Sequence, residues 1–131
     1  MICGIGIDAA SIERTGRLDE HAVNRIFHPD EISRYKELSS AAQSVRNRFL
    51  ASRFAVKEAY AKARGLGFCA DIVPCEICTC EDELGKPYIK LCGRTEEHHP
   101  AHQSIHVTIT HQEPLALAVV ILESEGNNGQ K

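Results

Sequence analysis

The longest helical pattern in this chain places the strongest constraint on its fold. It follows Ser40 and continues to Arg64, with apolar side chains recurring at helical spacing, and Gly65, a common residue just beyond a helix end, comes next. Ser40, with Gln43 three residues later, predicts a capping box at the start. The predicted apolar stripe consists of Val45, Phe49, Val56, Ala59 and Ala63. A helix with such a stripe packs against another layer of structure.

A second stripe on the same helix begins with small residues and ends with charges. It contains Ala51, Ala55, Glu58 and Lys62. Because alanine leaves room, another segment can approach this face closely and meet the two charged side chains. The alternative is an exposed ion pair one turn apart, worth about 0.2–0.5 kcal/mol.

Short apolar segments on both sides of this helix predict strands. Residues 2–7 alternate isoleucine with glycine and end at Asp8. The later segments are 72–80, 87–92, 105–111 and 115–122, with turns at 83–86 and 112–114. Ser11 predicts a cap for a helix through Arg14, and Pro29 opens a short helix to about Leu38. We therefore predict one α+β domain over residues 1–124, a long central helix packed on a mainly antiparallel sheet, with a disordered tail at 125–131.

Composition excludes several functional classes. The 131 residues carry a formal net charge of -3, with no Trp and 5% aromatic residues, so neither nucleic acid nor an anionic membrane is an expected partner. The longest apolar run, 115–122, is far shorter than the roughly 20 residues that a membrane-spanning helix needs. The N-terminal segment lacks the basic start of a secretion signal. We expect a cytoplasmic protein.

The six cysteines allow two interpretations. Cys75 and Cys78 form a CxxC pair, Cys80 follows, and five histidines lie downstream, at His98, His99, His102, His106 and His111. A zinc site usually needs two ligand pairs at defined spacing, and the same cysteines fit an alternating strand. Free, incidental cysteines are favoured, and the histidine-rich segment 96–103 is predicted to be a solvated loop. A Cys/His metal-binding or redox module remains the alternative.

Two carboxylates stand out by position, Asp8 at the end of a glycine-flanked strand and Glu58 on the small-residue helix face. If the two elements pack together, their oxygens suit Mg²⁺, which takes one or two protein carboxylates and completes its shell with water and phosphate. Four cations lie near Glu58, namely Arg53, Lys57, Lys62 and Arg64. A divalent metal beside such cations is the arrangement that phosphoryl transfer requires. No Walker A or GxGxxG motif is present.

Three segments give the chain a family resemblance. They are Gly4-Ile5-Gly6-Ile7-Asp8 followed by Arg14, Arg53-Phe54-Ala55-Val56-Lys57-Glu58-Ala59 continuing to Lys62 and Gly65, and Val107-Thr108-Ile109-Thr110-His111. In order, spacing and total length the chain resembles the holo-acyl carrier protein synthases, the small single-domain class of 4'-phosphopantetheinyl transferases. The resemblance implies the fold of that class. It also implies transfer of the 4'-phosphopantetheine arm of coenzyme A to a serine of apo acyl carrier protein, releasing adenosine 3',5'-bisphosphate, in support of fatty acid biosynthesis.

The resemblance also implies roles for individual residues. Asp8 and Glu58 would ligate Mg²⁺, and Lys62 would neutralise phosphate charge, which makes these three the catalytic group. The serine proton would go to Glu58 or to a metal-bound water. The implied coenzyme A contacts are Arg53, Lys62, Gly65, Lys86, Pro87, Thr110 and His111. Arg14 would dock the acidic carrier protein, with Arg17 and Arg25 as weaker candidates.

A homotrimer with active sites at subunit boundaries is a further implication of the resemblance. Residues 94–103 depart from the family pattern, because Pro100 and the lack of an apolar stripe replace a common amphipathic helix. We therefore expect no ordinary helix in that segment.

Overall fold

The described part of the chain, residues 1–125 of the computed structural model, consists of one long helix, four shorter helices and two antiparallel sheets. The elements in chain order are β1 (Ile2–Ser11), α1 (Ile12–Gly16), α2 (Glu20–Ile26), α3 (Pro29–Glu37), α4 (Gln43–Arg64), a 3-10 turn (Pro74–Glu76), β2 (Ile77–Glu81), β3 (Pro87–Leu91), α5 (Gly93–Glu97), β4 (Gln103–Gln112) and β5 (Leu115–Ser124). The predicted α+β class is confirmed. The predicted disordered tail lies outside the described residues, apart from Glu125.

The larger sheet has the strand order β1-β5-β4, so β5 is the inner strand, as its apolar sequence predicts. Along β5 the side chains point alternately toward α4 and toward the opposite face of the sheet. Those on the helix face, Ala116, Ala118, Val120 and Leu122, are buried. On the opposite face Ile5 and Ile7 remain 61% and 56% exposed. This sheet therefore has one covered face and one apolar face open to solvent.

Helix α4 lies unusually close to β1. A Cβ atom added to Gly4 or Gly6 would collide with the backbone carbonyl oxygens of Ala63 and Ala59, respectively. The buried alanines Ala51, Ala55 and Ala59 complete this close contact. The predicted small-residue face does meet β1, through Lys62 and Asp8, but the closest contacts fall on Ala59 and Ala63, which were assigned to the apolar stripe. The glycines of β1 make this approach possible.

Several predicted boundaries were wrong. Helix α4 begins at Gln43 after Ala42, whose side chain makes no capping bond, so the capping box at Ser40 does not form. Strand β1 continues past Asp8 to Ser11, because β5 pairs with it as far as Leu115. Asp8 thus lies within a strand rather than at its tip.

The middle of the chain holds further differences. Residues 74–76 form a 3-10 turn, so only the second half of the predicted strand 72–80 is extended. A short helix, α5, occupies 93–97 where no ordinary helix was expected. Its Thr95 is buried and bonds to Glu76 through both its backbone N–H and its hydroxyl. A tertiary contact therefore supports this helix where the sequence has no apolar stripe.

Helix α2 was missed by the sequence argument. Asp19 caps it by accepting from the backbone N–H of Ala22 at 2.8 Å. It helps to build a small second core, in which Val23 and Phe27 pack with Leu50 of α4. Among the described residues, no helix combines the length and apolarity needed to cross a membrane.

Candidate active site

Asp8 and Lys62 meet where β1 crosses α4. The Lys62 ammonium donates to Asp8 Oδ1 at 2.8 Å and to the Ile7 carbonyl at 3.1 Å. Asp8 is 12% exposed and Lys62 56% exposed, so the pair lies at the protein surface rather than in the core. The other carboxylate oxygen of Asp8, Oδ2, is buried and has no hydrogen-bond partner among the described residues.

Glu58 lies one helical turn before Lys62 and close to Asp8. Partial burial raises the pKa of Glu58 above its usual range, and the Asp8 carboxylate raises it further, while Lys62 offsets only part of this. In turn, the hydrogen bond from Lys62 to Asp8 raises the pKa of Lys62. The site thus holds two carboxylates whose mutual repulsion a single lysine does not fully compensate.

These residues fit a hard divalent cation. The unpaired Oδ2 of Asp8 and the carboxylate of Glu58 are oxygen ligands of the kind that Mg²⁺ prefers, and a cation between them would relieve their repulsion. Mg²⁺ usually keeps several coordination positions for water and substrate phosphate, which the partial exposure of the pair allows.

The other predicted site residues are spread over the protomer. Gly65 ends α4 in the left-handed conformation, one turn beyond Lys62, and is exposed. Lys86 and Pro87 belong to the β2–β3 hairpin, outside the larger sheet. Thr110 and His111 pair with β5, which separates them from β1 by two strand spacings, or about 10 Å.

Arg53 lies outside the Asp8–Glu58–Lys62 group. Its guanidinium lies 4.2 Å from the centre of the Phe49 ring, donates to Ser52 Oγ at 3.1 Å and approaches Glu81 at 3.6 Å. Burial lowers its pKa, an effect that Glu81 opposes. Arg53 therefore stabilises the contact between α4 and the end of β2 in this protomer.

The predicted cluster of four cations around Glu58 was wrong, because of the four only Lys62 contacts either carboxylate, that of Asp8. Lys57 is buried on another side of α4, where it pairs with Glu31 at 2.5 Å. Arg64 donates to the Tyr60 hydroxyl at 3.0 Å and to the His98 carbonyl at 3.0 Å. Consecutive residues of a helix point about 100° apart, so neighbours in sequence diverge in space.

Two interactions were missed from the sequence. Glu31, in the first turn of α3, is the buried partner of Lys57. His99 lies half-buried in the segment expected to be a solvated loop, and its Nδ1 is 2.6 Å from the Tyr60 hydroxyl. No local pattern in the sequence signals the first of these pairs.

The carrier-docking candidates lie on the short helices. Arg14 is exposed on α1, which begins four residues after Asp8. Arg17 is paired with Glu13 at 2.8 Å, and Arg25 is exposed in the last turn of α2. All three arginines are therefore accessible, and Arg14 lies nearest in sequence to the carboxylate group.

All six cysteines are free thiols. Cys75 belongs to the 3-10 turn, whereas Cys78 and Cys80 lie on β2 with their sulfurs 3.8 Å apart. Among residues 1–125, the one group of possible soft-metal ligands consists of His28, Asp30 and Cys78, and it includes no residue of the histidine-rich segment.

Comparison with known proteins identifies the family. A family model described as the 4'-phosphopantetheinyl transferase superfamily matches residues 4–120. A holo-[acyl-carrier-protein] synthase of Nitratidesulfovibrio vulgaris is 41% identical over 130 residues, covering 95% of this chain and 100% of that protein.

Solved structures of holo-acyl-carrier-protein synthases have the same fold as this chain. A Bacillus anthracis holo-(acyl-carrier-protein) synthase in complex with CoA (3',5'-ADP) aligns with a TM-score of 0.80 and 32% identity, covering 95% of this chain and 99% of that one. A Helicobacter pylori holo-[acyl-carrier-protein] synthase in complex with coenzyme A aligns with a TM-score of 0.73 and 27% identity, covering 91% of this chain and 99% of that one.

The fold and the matched segments define a phosphopantetheinyl transferase. Within this superfamily, the chain belongs to the holo-[acyl-carrier-protein] synthase family. The resemblance found from the sequence is thereby confirmed, and the alternative of a metal-binding or redox module is not favoured.

Proposed function

We propose that this enzyme transfers the 4'-phosphopantetheine arm of coenzyme A to a serine of an apo acyl carrier protein, with Mg²⁺ as cofactor. The product leaving the site is adenosine 3',5'-bisphosphate. The observation that carries the proposal is the meeting of Asp8, Glu58 and Lys62, in which one buried carboxylate oxygen has no partner. Coenzyme A as co-substrate is further supported by the B. anthracis and H. pylori complexes.

The chemistry assigns each residue a task. The serine oxygen forms a bond to the phosphorus that carries the pantetheine arm, and the bond from that phosphorus to the bridging oxygen breaks. Asp8 and Glu58 would hold Mg²⁺, which would neutralise charge on the pyrophosphate. Lys62 stands next to the same carboxylates and stabilises charge on the phosphate oxygens. Glu58, with its raised pKa, is the chain's own candidate to accept the serine proton.

The carrier protein docks at α1 in this proposal. Arg14 is exposed there, and α1 follows directly from the strand that carries Asp8, so a partner bound at Arg14 lies near the carboxylate group. A basic contact suits an acidic partner and accelerates its association despite the net charge of -3.

The enzyme assembles as a homotrimer in this proposal, with each active site at a subunit boundary. Support comes from the open apolar face of the larger sheet, which includes Ile5 and Ile7. Further support comes from Thr110 and His111, which lie two strands away from Asp8 within one protomer. A neighbouring subunit can supply the nucleotide contacts that one protomer keeps apart. The reaction belongs to fatty acid biosynthesis in the cytoplasm.

The transfer is tested by intact-mass spectrometry of an apo acyl carrier protein incubated with the enzyme, coenzyme A and Mg²⁺. We expect a gain of one phosphopantetheine mass that disappears with EDTA. Glu58→Gln should abolish most of the gain, whereas Glu97→Gln, an exposed carboxylate on α5, should leave it unchanged. No gain with several carriers would refute the proposal, and a full rate for Glu58→Gln would refute the metal assignment.

The trimer is tested with the double variant Ile5→Lys and Ile7→Lys, which charges the open sheet face. Light scattering should show a protomer in place of a trimer, and transfer activity should fall with the assembly. A monomeric variant with full activity would refute active sites at subunit boundaries.

A further inference from the structure

A cluster of soft metal ligands lies away from the carboxylate group, where the start of α3 meets β2. His28 caps α3 and Asp30 lies in its first turn, while Cys78 belongs to β2. One ligand atom from each of these residues lies within 4.8 Å of those of the others. The sulfur of Cys80 lies 3.8 Å from that of Cys78. We call these four residues the dithiol cluster.

The spacing of the two sulfurs matches tetrahedral coordination. Zinc–sulfur bonds are about 2.3 Å long, so two thiolates on one tetrahedral zinc lie about 3.8 Å apart. The Cys78 and Cys80 sulfurs are separated by that distance before any cation is present. The ligand atoms of His28 and Asp30 lie within 4.8 Å of the Cys78 sulfur, whereas the Cys80 sulfur is close to Cys78 alone, so the Cys80 side chain must turn toward the other two to complete a four-ligand set of the kind that zinc accepts.

The surroundings of the cluster include a cavity and a carboxylate that partly balances two nearby guanidinium groups. A cavity of about 180 Å³ is lined by Asp30, Cys78 and Cys80, although Cys78 itself is buried and His28 lies outside the lining. Of the guanidinium groups lining it, Arg34 approaches Glu81 at 3.8 Å and Arg53 approaches the same carboxylate at 3.6 Å. Their charges are therefore partly balanced by a carboxylate outside the cluster.

We propose that the dithiol cluster binds one soft divalent cation, best matched by Zn²⁺, at a site separate from the Asp8–Glu58 group. Thiolate and imidazole ligands select zinc over magnesium, whereas paired carboxylates select magnesium, so the two sites take different metals. Binding releases the two thiol protons to solvent. The bound cation ties the start of α3 to β2.

Metal binding exchanges one interaction of His28 for another. Its Nδ1 now accepts from the Asp30 backbone N–H at 2.9 Å, so the neutral ring carries its proton on Nε2. A cation on Nδ1 displaces this bond, and a cation on Nε2 moves the proton to Nδ1. In both cases His28 Nδ1 no longer accepts from the Asp30 backbone N–H. A replacement for His28 that caps the helix but has no imidazole therefore tests metal binding separately from capping.

The test is a competitive Zn²⁺ titration of the reduced full-length enzyme against a chromophoric chelator, with metal content measured after dialysis. We expect one equivalent of zinc and, with Co²⁺ as the probe, the absorption of cobalt–thiolate bonds. His28→Asn, which retains a good helix cap, and Cys80→Ser should each weaken zinc binding at least about tenfold. Cys75→Ser and Cys69→Ser, outside the cluster, should bind zinc like the parent enzyme.

Other results would overturn the proposal. Absence of bound zinc in the parent enzyme would do so, as would unchanged affinity in both His28→Asn and Cys80→Ser. Loss of zinc on Cys75→Ser alone would assign the metal to the CxxC pair instead. Circular dichroism of each variant verifies folding, and transfer activity is measured separately because the carboxylate group does not depend on this site.

Discussion

Replacing Lys57 by methionine should remove a large part of the stability that joins α3 and β2 to the long helix. The Lys57 ammonium donates to three acceptors, Glu31 Oε1 and the carbonyls of Pro74 and Ile77. Its side chain is 0% exposed and that of Glu31 is 1% exposed. Methionine has a similar length but carries no charge and no donor.

The magnitude follows from what the substitution leaves behind. Glu31 still accepts from the backbone N–H groups of His28 and Thr79, at 3.1 and 2.9 Å, but it loses the ammonium group with which it is paired. Removing one partner of a buried ion pair costs about 3–5 kcal/mol, against a total stability of about 5–15 kcal/mol for a domain. With a urea dependence of about 2 kcal/mol per molar, the unfolding midpoint should fall by about 2 M.

A double-mutant cycle separates the ion pair from the packing of the side chains. Lys57→Met, Glu31→Gln and the combined variant are unfolded with urea at one protein concentration, because association makes stability concentration-dependent. The combined variant leaves no unpaired buried charge, so its loss should be smaller than the sum of the single losses by about 1–3 kcal/mol. A loss below about 1 kcal/mol for Lys57→Met, or strict additivity, would refute the desolvated pair.

Three further predictions concern single positions. Gly6→Ala should destabilise the fold by about 1–3 kcal/mol in urea unfolding, because its methyl group meets the Ala59 carbonyl; an unchanged midpoint would contradict this contact. Burial lowers the pKa of His99 in the folded protein, so below pH ~6.5 the unfolded chain binds more protons than the folded one. The stability of the fold should therefore fall on acidification, and His99→Gln should flatten this pH dependence in thermal unfolding at pH 5 to 7. Burial and Asp8 raise the pKa of Glu58, so its ionised form destabilises the metal-free enzyme at neutral pH, and Glu58→Gln should unfold in EDTA at the same or a higher temperature; a lower one would contradict it.

The sequence predicted those features that depend on local periodicity or on a direct pattern. The end of α4 at Gly65, the start of α3 at Pro29 and the inner strand β5 all have signals within a few residues. The closeness of β1 to α4 was also predictable, because glycines on one element faced alanines on the other. The residues placed Asp8 beside Glu58 on the condition that the two elements pack together, and only the resemblance singled out Lys62; in the structure β1 does pack on α4, with Asp8 Oδ1 2.8 Å from the Lys62 ammonium.

Features that depend on contacts distant in sequence were not predictable in the same way. Helix α5 has no apolar stripe and is held by bonds from Thr95 to Glu76, 19 residues away. Lys57 and Glu31 are 26 residues apart, and nothing local distinguishes either from a surface charge. Predicting such pairs requires the packing of α3 against α4, which the sequence pattern alone does not define.

Helix α4 connects these observations, because adjacent residues on it serve different purposes. The Lys57 side chain points into the core and holds α3 and β2, whereas Glu58 faces β1 and lies beside Asp8. The buried pair and the glycine contacts of β1 therefore hold the same helix from two sides. Because Gly6 lies two residues before Asp8 on the same face of β1, the contact that sets the strand–helix distance also sets the distance between Asp8 and Lys62. The repulsion between Asp8 and Glu58 is thus maintained by packing elsewhere, which is how a fold can keep two carboxylates ready for a cation.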